Sequence, residues 1–511
     1  MSNIASNNKK AMIEDISVFS AGTYLAQFAY CLRGFLNASI LGPAMYGLWS
    51  ALNIISSLGF YSPLGVLEGM YREVPYSIGK GDPERAERAH ANAFSFSLFS
   101  SILVAVFIIA FALFFRKSAS AIEVIGLIAI AVMIIIQNMV NFYEIALSAD
   151  KRFSVLATAS SIFPIVCVAL TLLFVPKWKI YGVYMIAILG PLLMVLFYYF
   201  VMEYKPRLIF DIKEAARLIK IGLPWMSLSL LPVALFAIDR ALIFKFMGAA
   251  NLGYYALGLL ICRFLNYLPG VVARVVEPQI FHTYGKSEKA EDLAKYLFVP
   301  SKVMAVCLPL FIGTVYFVSS FVIRHFMREY IPSLTPVFIL LFGKFFLLYC
   351  PTTTGFFVAV NKQRNVVYFY IVSIALTAIL DITMLRLGLG LNGIAFVTCI
   401  VNFLLGTSLF IYSARLCSRG WLDSFKSCLK LYMPYLYVLM LALGLDFMFK
   451  GTLSIARDLL VVLLSVFVLF LGSLPFMAHL NKQIRLFEEI RALLKSKLGI
   501  SLFRADKLNG S

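Results

Sequence analysis

The sequence predicts an all-α integral membrane protein of about fourteen transmembrane helices. Three observations carry that prediction. Of 511 residues, 61% are hydrophobic and 14% charged, whereas a soluble domain is nearer half apolar and a quarter charged. Apolar runs of about 20 residues, enough for a helix to cross a hydrocarbon core roughly 30 Å thick, recur from end to end. No stretch of about 100 residues is polar enough to stand as a separate soluble domain.

The spans fall near 16–38, 45–70, 93–115, 122–146, 154–175, 180–202, 220–244, 252–275, 298–323, 334–358, 366–386, 391–413, 430–449 and 456–478. Short Gly- and Pro-bearing links such as Leu41-Gly42-Pro43 and Gly388–Gly390 stop one helix and start the next. The N-terminus, the even-numbered loops and the C-terminus hold about 31 Lys and Arg, against about 10 in the opposite loops. The positive-inside rule puts the richer side in the cytoplasm, and an even span count puts both termini there. The polar N-terminal segment lacks a short apolar core with a small-residue cleavage site, and is expected to be an uncleaved cytosolic tail.

The net charge of +19 does not point to nucleic acid, because the basic residues are scattered through short loops. The eight cysteines lie mostly in or beside apolar runs without a CxxC pair, and the four histidines are far apart, so no metal site is expected. In the tail, Phe487, Ile490, Leu494 and Leu498 recur at helical spacing beside Arg485, Arg491, Lys495 and Lys497. That pattern suits a basic amphipathic helix on an anionic leaflet, with a solvated helix as the alternative.

An internal repeat organises the chain. LGPAMYGLWSAL at 41–52 aligns with MGAANLGYYALG at 247–258, pairing Gly42 with Gly248 and Gly47 with Gly253. Gly79-Lys80 pairs with Gly285-Lys286 at the same offset of about 206 residues. Each repeat holds six spans, an even number, so both halves enter from the same side and relate by a pseudo-twofold axis along the membrane normal. The expected organisation is an N-lobe over 1–205 (spans 1–6), a C-lobe over 206–415 (spans 7–12), two further spans over 416–480 and the amphipathic cytoplasmic tail over 481–511. Two like-oriented lobes suit alternating access, the architecture of a transporter.

Ionisable groups inside spans are the candidate site. A charge near the bilayer centre costs at least about 2.5–3.5 kcal/mol on insertion scales, so it normally faces a cavity or a partner. Arg33 is in span 1, Asp239-Arg240 in span 7, Arg263 in span 8 and Lys344 in span 10. If they line one cleft, it is basic, and guanidinium groups bind phosphate oxygens in pairs. Glu68 and Arg72 end span 2, and Arg274 and Glu277 end span 8; these are candidates for a gate at the cytoplasmic end. The plainer alternatives stay open: Arg33 snorkelling to the outer face, Asp239-Arg240 as a structural ion pair, and Asp381 and Asp446 lying near helix ends. Glu144 is a weaker candidate for ion coupling, being near the cytoplasmic end of its span. Prolines inside spans, Pro63, Pro164, Pro191, Pro224, Pro232, Pro269, Pro309 and Pro351 among them, mark hinges or packing kinks.

Three segments resemble the polysaccharide flippases, the Wzx-type translocases of the multidrug/oligosaccharidyl-lipid/polysaccharide exporter superfamily. They are Arg33 with LGPAMYGLWSALNIISSLGFYSP, the loop GKGDPERAERAHANAF, and IGLPWMSLSLLPVALFAIDRALIFKFMGAANLGYYALG running on to VVARVVEPQIFHTYGK. The resemblance covers roughly 15–415. It implies two six-helix lobes about a central cavity, and outward movement of an undecaprenyl-pyrophosphate-linked repeat unit across a bacterial inner membrane, as in O-antigen assembly for lipopolysaccharide. By resemblance, Asp239-Arg240 and Arg33 occupy the family's charged positions in helices 7 and 1. Arg263 and Lys344 rest on the charge argument alone. The expected partners are the lipid-linked oligosaccharide, membrane lipids and polysaccharide polymerase or assembly proteins. No cofactor is expected: there is no Walker A motif, and the coupling ion, H+ or Na+, stays open. Two rivals remain. A multidrug or small-molecule antiporter of the same superfamily should prefer an acidic cavity for cations. A membrane polymerase or ligase should need a larger outward loop than the 5–15 residues found here.

Overall fold

The computed structural model describes residues 2–150, 152–202, 207–448 and 454–484, with side chains over 26–150, 152–202, 207–447 and 454–482. The amphipathic tail and the loop cations Lys151 and Lys205 lie outside the described residues. Fourteen α-helices follow in order: α1 Ser2–Gly59, α2 Val66–Gly79, α3 Pro83–Phe114, α4 Ala121–Ala149, α5 Phe153–Val201, α6 Ile212–Phe264 and α7 Tyr267–Ser287, then α8 Ala294–Phe326, α9 Leu334–Leu348, α10 Thr353–Ala359, α11 Gln363–Arg386, α12 Gly390–Leu416, α13 Trp421–Met448 and α14 Ile455–Ile484. There is no strand among the described residues.

Eleven helical stretches among the described residues are long and apolar enough to cross a membrane. Three of them bend sharply, α1 at Gly42, α5 at Lys179 and α6 at Gly248. Each bend falls between two predicted spans, so eleven stretches accommodate the fourteen spans. Gly42 (φ 71°, ψ 173°) and Gly248 (φ 84°, ψ 175°) adopt nearly the same conformation, so the repeat read from sequence is also a repeat of backbone geometry. The positive φ is open to glycine because it has no Cβ to clash.

Other breaks follow proline. The chain leaves helix at 60–65, around Pro63, and at Leu265–Asn266, just before Pro269. These prolines stand at the repeat's own offset of about 206 residues. Pro351 lies in the turn between α9 and α10. A proline removes a backbone donor and its ring crowds the preceding turn, so predicted spans 2, 8 and 10 are each interrupted.

The chain gathers into two compact units. Among the described residues, the first joins those within 2–267, 322–344 and 361–408; the second joins those within 268–321, 345–360 and 409–484. In a bilayer, helices associate through close packing and hydrogen bonding, since lipid is as apolar as leucine. The first unit shows both devices. On α3, Ala86, Ala89, Ala93, Ser97 and Ser101 form a buried stripe of small residues. It packs with Met70 and Val74 of α2, Phe142 and Ala146 of α4, and Tyr198 of α5. Asn138 donates to Ser101 Oγ at 2.8 Å and Ser62 Oγ at 3.0 Å, tying α4 to α3 and the Pro63 break. The other face of α3 leaves Phe99, Leu103, Phe107 and Phe114 exposed, as a lipid-facing surface requires.

The second unit is held by an aromatic cluster in which Phe345 stacks on Tyr435 with centroids 4.3 Å apart. Its Asp446 accepts a hydrogen bond from Tyr316 at 2.6 Å.

Candidate functional site

The first unit holds a half-open cavity of about 520 Å³ lined by Arg33, Arg240, Arg263 and Lys344. Four helical segments bring these cations together. Arg33 stands on α1 before its Gly42 bend and Arg240 on α6 before its Gly248 bend. Arg263 is in the last turn of α6 and Lys344 is on α9. No carboxylate among the described residues lies within ion-pair distance of any of the four. Their contacts are weaker. Arg240 Nε donates to the Phe236 carbonyl at 3.0 Å, Lys344 Nζ lies 4.5 Å from the centre of the Phe236 ring, and Arg33 lies 5.7 Å from that of Tyr30. Two acceptors join them: Asn37 and Asn402 line the cavity and are almost fully buried, and their side-chain carbonyl oxygens have no partner among the described residues. Four cations in a low-dielectric chamber attract an anion far more strongly than they would in water.

Asp239 does not join this group. Successive residues on a helix point about 100° apart, at 3.6 per turn, so with Arg240 facing the cavity its neighbour turns into the packing. There Asp239 Oδ2 accepts from Tyr255 Oη at 2.7 Å and Thr398 Oγ1 at 2.8 Å. Asp381 of α11, fully buried, lies close enough to interact with it. Asp239 Oδ1 and both Asp381 oxygens have no hydrogen-bond partner among the described residues. Thr398 also lines the basic cavity. Asp239, Asp381 and Thr398 are therefore the residues best placed to hold a cation. No three His, Cys, Asp or Glu side chains converge among the described residues.

The residues nominated for the gate are divided between the two units. On α2, Glu68 is half-buried and Arg72 exposed. Arg274 and Glu277 are on α7, in the second unit. Glu277 packs against Gly355, and burial pushes its carboxyl above the usual carboxylate range. The acid that the fold buries is Glu73. Its Oε1 lies 2.8 Å from Arg85 Nε of α3 and 2.9 Å from Arg217 NH1 of α6. Arg217 also binds Glu214 at 2.6 Å. Sequence reasoning missed Glu73, although a signal was present: it shares the 3–4 residue spacing of Met70, Val74 and Ser77, the buried stripe of α2.

Below Gly65 the same helices touch backbone to backbone. A Cβ added to Gly222 would lie 1.9 Å from the Gly65 carbonyl, and one on Gly69 would lie 2.2 Å from that of Leu218. At the bend end the contact exchanges repeat equivalents. A Cβ on Gly47 would meet the Ala249 carbonyl at 1.7 Å, and one on Gly253 would meet the Pro43 carbonyl at 2.0 Å. Reciprocal contact of this kind is what a pseudo-twofold axis generates.

A helical bundle with two bent, repeat-related helices around a charged cavity is a fold that known structures share. The lipid II flippase MurJ in an inward closed conformation matches with TM-score 0.67 at 17% identity, over 91% of this chain and 99% of that one. An inward-facing multidrug-resistance MATE transporter of the MOP superfamily matches with TM-score 0.63 at 16% identity, over 77% and 94%. A MOP superfamily transporter from Pyrococcus furiosus, described as having a binding pocket of reverse polarity, matches with TM-score 0.52 at 15% identity, over 79% and 96%. No curated protein matches the chain in sequence. The family model described as polysaccharide biosynthesis protein matches residues 38–334, more than half of the chain, and the chain belongs to that family.

Proposed function

We propose that this protein is a flippase. It moves an undecaprenyl-pyrophosphate-linked oligosaccharide repeat unit, of O-antigen or another exported glycan, from the cytoplasmic to the periplasmic leaflet of a bacterial inner membrane, with both termini cytoplasmic. The observation that carries this reading is the cavity with four cations and no acidic ion-pair partner. A pyrophosphate diester brings compact negative charge that two or three guanidinium groups can bind in pairs, while its lipid tail stays in the bilayer. The N-lobe and C-lobe then exchange inward and outward access around the bound headgroup. Coupling, to H+ or Na+, falls to the buried Asp239–Asp381 pair, whose unpartnered oxygens suit a proton or small cation. The match to a lipid II flippase supports the cargo class. No acid stands among the described residues that line the basic cavity, which disfavours a cation exporter.

The test is the sidedness of lipid-linked oligosaccharide in a strain lacking the protein, read with a label that reaches only the periplasmic face. Accumulation on the cytoplasmic face, reversed by the wild-type gene, is expected. Normal periplasmic delivery with no redundant transporter overturns the reading. Arg33→Ala, Arg240→Ala and Arg263→Ala at native expression should each fail to restore delivery; full complementation by all three removes the basic-cavity mechanism.

A further inference from the structure

A second chamber of about 470 Å³ opens in the N-terminal part of the first unit, and five residues, Gln27, Tyr30, Arg33, Trp49 and Asn53, line both it and the basic cavity. The chemistry changes across Arg33. Among the described residues the basic cavity carries four cations and no acid, whereas the side chamber carries Arg33, one acid (Glu144), neutral polar and aromatic groups, and aliphatic residues such as Met133, Leu156 and Met194. Gln27 and Gln137 present amides without a hydrogen-bond partner among the described residues. Asn53 spends only its NH2, donating to the Trp49 carbonyl at 2.8 Å. Glu144 receives a long hydrogen bond, 3.4 Å, from Tyr198, leaving most of its acceptor capacity unused. Trp49, Tyr30 and Phe163 supply flat apolar faces.

We propose that the side chamber is a saccharide subsite that reads the sugars next to the pyrophosphate, with Glu144 and Gln137 as specificity-determining residues. This rests on the flippase reading above. A sugar ring has hydroxyls that each donate and accept, and C–H faces that pack on aromatic rings. Amide groups with both capacities free, a carboxylate that only accepts, and a tryptophan wall complement it. The volume is in the range of small-molecule sites. An anion is directed elsewhere: Glu144 repels it from the side chamber, while four cations attract it to the adjoining cavity. With the pyrophosphate held there, the sugar bonded to it is the part of the substrate that reaches across Arg33.

The experiment measures binding to the full-length protein in lipid nanodiscs. The two probes are sugar-free undecaprenyl pyrophosphate and the lipid-linked oligosaccharide fraction extracted from the strain lacking the protein. Glu144→Gln and Gln137→Leu should keep affinity for the sugar-free lipid within about twofold and weaken the glycolipid by at least about tenfold, because a site built on hydroxyl hydrogen bonds discriminates strongly when they are lost. Arg240→Gln should weaken both probes. Retained binding of the sugar-free lipid also shows that each variant is folded. Equal losses on both probes, or none on either, overturn the subsite while leaving the flippase reading intact. Failure of the wild-type protein to bind either probe overturns both.

Discussion

The two ends of predicted span 2 meet α6 in different ways. At the end near the Gly42 bend, Gly47 and Gly253 bring backbones together with repeat equivalents exchanged. At the other end, Gly65, Gly69 and Gly222 also allow backbone contact, but the partners are not repeat equivalents, and an ionic cluster of Glu73, Arg85, Arg217 and Glu214 is added. A contact made of helix carbonyls and missing side chains has no charged group to exchange with water. An ionic contact does: the Arg85 and Arg217 side chains are 42% and 31% exposed. The first kind of contact suits a fixed pivot, and the second suits a contact that can open. The first should govern stability, and the second the balance between conformations.

The largest effect is expected from Gly47→Leu or Gly253→Leu. Even a Cβ falls inside a carbonyl at both positions, so overpacking of at least about 1–3 kcal/mol is expected. The thermal midpoint of the purified protein should fall, and by similar amounts for the two variants, since they are repeat equivalents. Markedly unequal shifts would remove the pseudo-symmetric pivot.

Glu73→Ala comes next. It leaves two guanidinium groups without their shared buried carboxylate; removing one partner of a buried pair costs about 3–5 kcal/mol, less here because both arginines are partly hydrated. The protein should fold with a modest loss of stability but lose transport, with thiol-reactive probes reaching Ser57→Cys in the basic cavity faster than in a Ser57→Cys protein that keeps Glu73. Glu73→Asp, which keeps the shared carboxylate charge between Arg85 and Arg217, should retain slow labelling. Unchanged labelling in Glu73→Ala would deny this cluster any part in access.

Arg85→Ala should change stability by about 1 kcal/mol or less, because a half-exposed partner is screened and Arg217 still holds Glu73. The smallest effect is expected from Arg207→Ala. Its 3.5 Å pair with Glu87 is exposed on both sides, and thermal midpoint and transport should match the wild type.

Much of the candidate site was legible in the sequence. Arg33, Arg240, Arg263 and Lys344 stood out because a cation inside a span is costly, and the fold places all four on one cavity. Asp239 was legible as an unusual residue but not in its direction: the helical step that turns Arg240 into the cavity turns Asp239 towards Tyr255 and Thr398. Asp381 was read as a charge near a helix end; it is buried beside Asp239. Asp446, read the same way, finds Tyr316.

The sequence by itself determined the all-helical membrane fold, the spans, the repeat with its paired glycine bends, and which residues carry charge into the bilayer. Hydropathy, helix-breaking residues and solvation cost act locally, so one chain read in order reveals them. Only the tertiary structure decided that Glu73 meets Arg217, that Asp381 meets Asp239, and that a second chamber carrying Glu144 adjoins the basic one at Arg33. The reason lies in the solvent. Lipid and protein interior are equally apolar, so an apolar stripe does not show which face of a helix turns inward. That rotation is set by close backbone contacts between segments about 150–210 residues apart.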